Sequence, residues 1–108
     1  MQIEKLKMII NGDLSSFIVY LEKLIQTNRF DDGEVLGIAV QALKDGPESL
    51  SNRQWILLLE NVILSDKYID KCERCAEDMP WLNMYNAIFI YQDFLCDNCR
   101  YMVNKINV

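Results

Sequence analysis

The sequence predicts a mainly α-helical fold: a small domain of about four short helices, followed by a C-terminal finger built on cysteines. Two observations carry this prediction. Apolar residues in the first two thirds of the chain recur at the spacing of one helix face, between glycine, proline and capping residues. All four cysteines lie in the last third, as two CxxC pairs with 20 residues between them.

The N-terminal segment predicts two helices joined by a short turn. Residues 2–10 form the first, and Asn11-Gly12 ends it. Its inward residues are Ile3, Leu6, Ile9 and Ile10. Asp13 is suited to cap the second helix, which should end near Asn28. The inward residues of that helix show the clearest periodicity in the chain: Leu14, Phe17, Ile18, Leu21, Leu24 and Ile25.

The third helix is predicted from about Glu34 to Lys44, with Asp31 or Asp32 as its cap and Gly46-Pro47 as its end. The residues that it should bury are Val35, Leu36, Ala39, Val40 and Leu43.

The fourth helix has the clearest start. Ser51 and Gln54 have the spacing of a capping box, with Leu50 and Trp55 at the flanking apolar positions. The helix should extend to about Leu64. Its expected buried face consists of Trp55, Leu58, Leu59, Val62 and Ile63.

The cysteines predict a metal site. Cys72, Cys75, Cys96 and Cys99 have the spacing C-x2-C-x20-C-x2-C, at the long edge of the zinc-binding pattern. Each pair can bring two sulfurs to one ion at about 2.3 Å, and a loop of roughly 20 residues can return to supply the other two. Four thiolates leave zinc no open position, so the ion would hold the fold. With a last helix after the second pair, the order is that of a treble-clef-like Zn(Cys)4 finger.

Other uses of these thiols are less consistent with the sequence. An iron–sulfur cluster also takes four thiolates, and spacing alone leaves it open. Thiol redox chemistry lacks a βαβ pattern, and structural disulfides lack an export signal. Between the pairs, Asp78 before Pro80 resembles a helix start, whereas residues 88–96 are equally compatible with a strand.

Residues CERCAEDMP (72–80) and LCDNCR (95–100) also carry a family resemblance. They are similar to the CxxCGxxIP and LCxxC motifs of the DksA/TraR-type zinc finger. The resemblance covers roughly 30 of the 108 residues. Ala76 stands where that family favours glycine, and the gap between the pairs is longer. The family's long helical hairpin with an acidic tip has no counterpart. The resemblance implies a zinc-binding finger and, more distantly, transcriptional regulation.

The chain of 108 residues is the size of one domain, so we expect a single domain, 1–108, with a helical part (1–66) and a zinc-stapled part (67–108). The segment SDKYID (65–70) is the seam between them. No apolar run is long enough to span a membrane, and no signal-peptide core is present. A cytoplasmic protein is therefore expected.

Charge and composition exclude several classes of function. The net charge is −5 and no cluster of lysine or arginine occurs, which argues against nucleic acid and anionic membranes and favours a basic protein partner. Histidine is absent, and no glycine-rich nucleotide-binding motif occurs. We therefore expect neither an enzyme nor a small-molecule substrate.

These features predict a non-catalytic, zinc-containing protein-binding module, of the kind of a small acidic inhibitor or immunity protein that masks a basic target. The alternative is a transcriptional regulator that acts through RNA polymerase or DNA. The predicted partner-binding residues are acidic or aromatic: Asp31, Asp32, Glu34, Glu77, Asp78, Trp81, Tyr85 and Asp93. The competing interpretation of the aromatic residues is that they pack the finger.

Overall fold

The structure is a computed structural model and describes residues 3–30, 33–63 and 66–106. It confirms a mainly helical chain with four cysteines close together near its C-terminal end. The chain divides into two compact units, Met1–Lys67 and Tyr68–Val108. The boundary lies within the seam that the sequence marks at residues 65–70. That the two parts form a single domain stays a prediction.

The N-terminal unit contains the four helices that the sequence predicts, together with one 3₁₀ turn and one π-helical turn. The helices are α1 (Ile3–Gly12), α2 (Leu14–Gln26), α3 (Glu34–Asp45) and α4 (Asn52–Leu58). A 3₁₀ turn occupies Pro47–Ser49, and a π-helical turn, Leu59–Ile63, continues α4. No helix within the described ranges is long and apolar enough to cross a membrane.

The interior of this unit contains most of the predicted inward residues of α1, α2 and α4. Those that are fully buried are Leu6, Ile10, Phe17, Leu21, Leu24, Leu58, Leu59 and Ile63. Ile3, Ile9, Leu14, Ile18 and Ile25 are only partly buried. The side chain of Val62 and the residue Leu64 lie outside the described part of the chain.

The end of α2 is a Schellman motif centred on Asn28. This residue has a φ of 57°, in the left-handed region that asparagine tolerates better than most residues. The Arg29 N–H donates to the Leu24 carbonyl at 2.9 Å, and the Asn28 N–H donates to the Ile25 carbonyl at 3.1 Å. The helix thus ends close to the predicted position. At its start, the Asp13 side chain makes no capping hydrogen bond.

Helix α3 buries a face that overlaps the predicted one only in part: Ala39 is buried as predicted. Ile38, Ala39 and Ala42 are buried, whereas Val40 is 37% exposed. Val35, Leu36 and Leu43 are only partly buried. Two small alanines on the buried face allow neighbouring backbones to approach closely, a preference that apolar periodicity does not encode. The helix begins after Gly33 rather than at a capping aspartate, and Asp31 and Asp32 lie outside the described residues.

Helix α4 confirms the predicted capping box. The Gln54 N–H donates to the Ser51 Oγ at 3.2 Å, and the Ser51 N–H donates to the Gln54 Oε1 at 2.8 Å. The flanking Leu50 and Trp55 are both buried. The α-helical geometry ends earlier than predicted, at Leu58, where the π-helical turn begins.

We expect Ser51→Ala to destabilise the N-terminal unit by about 1 kcal/mol, because the Gln54 N–H at the start of α4 loses its acceptor, the Ser51 Oγ. Urea denaturation of the zinc-loaded protein measures the change. Ser15→Ala is the matched control, since Ser15 is an exposed residue within α2 and helix interiors favour alanine. An equal loss of stability in both variants would contradict the capping role.

The C-terminal unit contains two helices among its described residues, α5 (Trp81–Tyr85) and α6 (Asp97–Ile106). A π-helical turn, Asn86–Ile90, extends α5. A helix follows the Asp78–Pro80 pattern as predicted, but it starts later: Pro80 is its N-cap rather than a residue of its first turn, and the Asp78 side chain pairs with Lys71. Residues 88–96 are not a strand: the first three lie in the π-helical turn and the rest form a loop.

Candidate metal centre

The four cysteine sulfurs converge in one cluster. All four Sγ atoms lie within 4.8 Å of one another, and the Cys75 and Cys96 sulfurs are 4.0 Å apart. An ion bound tetrahedrally by four thiolates at about 2.3 Å keeps the sulfurs about 3.8 Å apart. A disulfide would bring two of them to about 2.05 Å. The cluster therefore fits four ligands of a single metal ion.

The first CxxC pair lies in a tight turn closed by backbone hydrogen bonds. The Cys72 N–H donates to the Glu77 carbonyl at 2.9 Å, and the Ala76 N–H donates back to the Cys72 carbonyl at 3.0 Å. Outside the turn, Lys71 and Asp78 form an isolated antiparallel bridge, and their side chains form an ion pair with an N–O distance of 2.6 Å. The turn thus holds both sulfurs on the same side of the backbone.

The second CxxC pair lies at the start of α6. Cys96 directly precedes the helix and Cys99 is its third residue, and the Arg100 N–H donates to the Cys96 carbonyl at 3.0 Å. The exposed N–H groups and the dipole of a helix N-terminus stabilise negative thiolates. Two backbone N–H groups donate between the segments of the two pairs: the Cys96 N–H to the Cys72 Sγ at 3.4 Å, and the Glu73 N–H to the Phe94 carbonyl at 3.1 Å.

The thiols of the cluster have different pKa values. Burial alone would raise the pKa of Cys72, but backbone N–H groups of Cys75, Cys96 and Arg74 donate to its sulfur and lower the pKa to about 6. Burial raises the pKa of Cys96 to about 12, and the neighbouring thiols add to this effect. A bound cation reverses this penalty, because a coordinating thiol is deprotonated outright. Metal binding should therefore release protons, and metal affinity should fall in acid.

Two arginines surround the cluster. The Arg74 Nη1 donates to the Cys99 Sγ at 3.7 Å, which places a positive charge beside a site of four thiolates. Arg100 is buried, with 8% of its surface exposed. Its Nε and Nη2 donate to the two carboxylate oxygens of Asp93, each at 2.9 Å. Its Nη1 bonds Asp97 at 2.9 Å and its Nη2 also bonds the Leu95 carbonyl at 2.8 Å.

Arg100 is the supporting residue that sequence reasoning missed. It anchors the loop before Cys96 to the helix that carries Cys99, so it orients ligands on both sides of the second pair. The available sequence signal is its i, i+3 spacing from Asp97, which is typical of an ion pair on a helix. Its bond to Asp93 depends on how the loop folds, which that spacing does not indicate.

Ala76, directly after the first CxxC pair, has a backbone conformation that favours glycine. Ala76 has a φ of 61°, a left-handed conformation that costs a residue with a Cβ roughly 1–2 kcal/mol. Glycine adopts it without this steric cost. This is the position at which the DksA/TraR-type motif has glycine.

We expect Ala76→Gly to stabilise the zinc-loaded C-terminal unit by up to about 1 kcal/mol, after the entropy of a more flexible unfolded chain is subtracted. Thermal unfolding followed by near-UV circular dichroism measures it. Ala42→Gly, in the interior of α3, is the matched control and should destabilise the protein, because its backbone is helical. If Ala76→Gly were less stable than the unmodified protein, the claim that Ala76 is strained would be contradicted.

The acidic residues predicted to bind a partner have mostly internal contacts. Glu34 forms an ion pair with Arg53 at 2.9 Å in the N-terminal unit. In the C-terminal unit, Asp78 pairs with Lys71 and Asp93 pairs with Arg100, whereas Glu77 is exposed. Arg100, through its hydrogen bonds, lowers the pKa of Asp93. The predicted Asp31 and Asp32 lie outside the described residues.

The two predicted aromatic residues are interior. Trp81 is 4% exposed and Tyr85 is 7% exposed, so they offer a partner little surface. The Trp81 ring lies 5.6 Å from that of Tyr68, and the Tyr85 ring lies 4.9 Å from that of Phe89, as centroid distances. The positions of Trp81 and Tyr85 agree with the competing interpretation, in which these rings pack the interior of the finger.

The fold and the cluster together define a small, mainly helical protein with a four-cysteine site that can hold one metal ion. A scan against protein-family models finds no family that matches this chain, and searches of curated proteins and of solved structures find no match to it.

Proposed function

We propose that the ion is zinc and that its role is structural. Zinc favours four tetrahedral thiolates in closed sites, and the compactness of the sulfur cluster supports a single ion. The thiolates of a multi-iron cluster bind different iron atoms and must stand farther apart. When bound, zinc would cross-link the turn that carries Cys72 to the start of α6 that carries Cys99.

On this basis the protein is a non-catalytic protein-binding module that masks a basic surface on another protein, in the manner of an inhibitor or immunity protein. The observation that carries the proposal is the closed four-cysteine cluster, which leaves a bound ion no position for substrate or water. The net charge of −5 supports a basic partner, since complementary charge accelerates encounter and selects the partner.

The proposal has two tests. Elemental analysis of the purified protein should give one zinc per chain and no iron; a coloured, iron-containing protein would contradict the zinc assignment. The tagged, zinc-loaded protein should then retain a basic protein from cells of its source at low salt and release it at high salt. An inert acidic protein of matched charge is the control. Equal retention by both would contradict selective binding.

A second candidate, regulation through RNA polymerase, is favoured by one observation. Ala76 has the left-handed conformation at the position where the resembling DksA/TraR-type finger has glycine. Co-elution of RNA polymerase subunits in the same experiment would support this candidate. If RNA polymerase subunits are absent and another basic protein is retained, the result supports the first proposal, masking of a basic protein.

A further inference from the structure

The loop of residues 91–95, between the π-helical turn and Cys96, has a strained backbone. Gln92 has a φ of 53° and Phe94 a φ of 58°, although neither is glycine. For a bulky residue this conformation is a genuine outlier, with a cost of roughly 1–2 kcal/mol. Such strain persists only where the surroundings hold it, and it concentrates at functional sites.

Hydrogen bonds on both sides hold the loop. Arg100 binds the Asp93 carboxylate and the Leu95 carbonyl, and the Leu95 N–H donates to the Asp93 Oδ1 at 3.1 Å. The Phe94 N–H donates to the Ala87 carbonyl at 3.3 Å, while its carbonyl accepts from Glu73. The backbone of Phe94 is therefore fixed between the turn after α5 and the first CxxC pair.

This fixed loop and the residue before it present apolar side chains to solvent. Ile90 is 56% exposed, Tyr91 is 57% exposed and Phe94 is 40% exposed; we call these three residues the loop patch. The Arg100 guanidinium lies 4.3 Å from the centroid of the Tyr91 ring and so supports one of its faces. Rigid aromatic side chains lose little conformational entropy on binding, which makes them effective anchors at interfaces.

The segment that carries the loop patch is acidic: residues 68–108 have six aspartate or glutamate residues and four lysine or arginine residues, a net charge of −2. The cations with described side chains in this unit are engaged: Lys71 by Asp78, Arg74 by the Cys99 sulfur, and Arg100 by two aspartates. Glu73, which bonds Phe94 through its backbone, is exposed and has no ion pair among the described residues. An apolar patch on an acidic segment, with an exposed glutamate bonded through its backbone to Phe94, is complementary to an apolar side chain flanked by lysine or arginine.

We infer that the loop patch, with Glu73 beside it, is the docking surface for a basic protein segment that inserts an apolar anchor between flanking cations. The inference rests on the proposed binding function and identifies the surface that performs it. The strain in the loop has a role in this arrangement, because it turns Phe94 outward while its backbone closes the metal-binding finger.

The test is selection of random twelve-residue peptides displayed on phage against the zinc-loaded protein. We expect the enriched peptides to contain an aromatic or aliphatic residue flanked by lysine or arginine. Phe94→Ala should weaken a selected peptide at least tenfold, and Glu73→Lys should weaken it and reduce its salt dependence. The matched controls are Met8→Ala and Glu22→Lys, exposed residues of the N-terminal unit that should leave affinity unchanged.

The remaining outcomes each overturn the inference. Basic peptides that bind Phe94→Ala as tightly as the unmodified protein would place the surface elsewhere and leave the proposed function intact. Enrichment of acidic peptides, or of none, would overturn both. Self-association that Phe94→Ala abolishes would make a second copy of the chain the occupant. If Phe94→Ala loses its zinc, Ile90→Ser provides the same test, because the Ile90 side chain is exposed and precedes the loop.

Discussion

Cys72→Ser should abolish tight zinc binding and unfold the C-terminal unit. Cys72 is 2% exposed and its sulfur accepts backbone N–H groups from both CxxC segments, so no water can substitute for it without opening the site. Zinc binding by small fingers contributes on the order of 10 kcal/mol to folding, comparable with the whole stability of a small domain. Chelation of the metal from the unmodified protein should have the same effect.

Two-dimensional amide NMR measures this result separately for each unit. In Cys72→Ser, resonances of residues 68–106 should collapse to the narrow dispersion of an unfolded chain. Glu73→Gln, at the adjacent exposed position, is the control and should retain one zinc and a dispersed spectrum. A folded C-terminal unit in Cys72→Ser at full zinc loss would contradict a structural metal.

Arg100→Ala should destabilise the C-terminal unit by about 2 kcal/mol. Breaking a buried pair costs roughly 3–5 kcal/mol, and we expect a cost below this range here because the Asp93 side chain retains 27% exposure. The variant loses the two parallel bonds to Asp93, the bond to Leu95 and the contact with Tyr91. Arg100→Lys should recover only part of this stability, because lysine keeps the charge but not the planar geometry.

A double-mutant cycle with Asp93→Ala, analysed by urea denaturation at constant free zinc, isolates the pair. Asp93 has a pKa below its ordinary value of 3.8, so its stabilising contribution is complete above that value and is lost only as pH falls through the lower, folded pKa. The coupling energy should therefore be equal at pH 6 and pH 8. Lys71→Ala, which breaks an exposed pair, is the control and should have a much smaller effect. Coupling that is absent or varies across this range would contradict the assigned role.

The four candidate metal ligands could be recognised in the sequence because their spacing is a local property. Each CxxC pair needs only a tight turn to present two sulfurs together, and the chain contains no other cysteine. The loop that supports the second pair could not be identified in this way. Its geometry depends on Arg100 folding back onto Asp93 and Leu95, and on the bond between Glu73 and Phe94 across the two pairs.

Aromatic residues show the same division. Several aromatic residues lie in the segment that carries the cysteines, but the sequence does not indicate which of them are buried and which are exposed. In the structure Trp81 and Tyr85 are interior, while Tyr91 and Phe94 are exposed on the strained loop. Gln92 and Phe94 have positive φ values there, and no glycine or asparagine in residues 91–95 indicates this conformation in the sequence.

The helices of the N-terminal unit, the capping box at Ser51 and the four candidate metal ligands could be predicted from the sequence alone, because each depends on residues a few positions apart. The buried face of α3, the role of Arg100 and the exposure of Phe94 follow only from the tertiary structure. These depend on which distant segments come into contact, and the free energy of such contacts is not encoded in any short stretch of the chain.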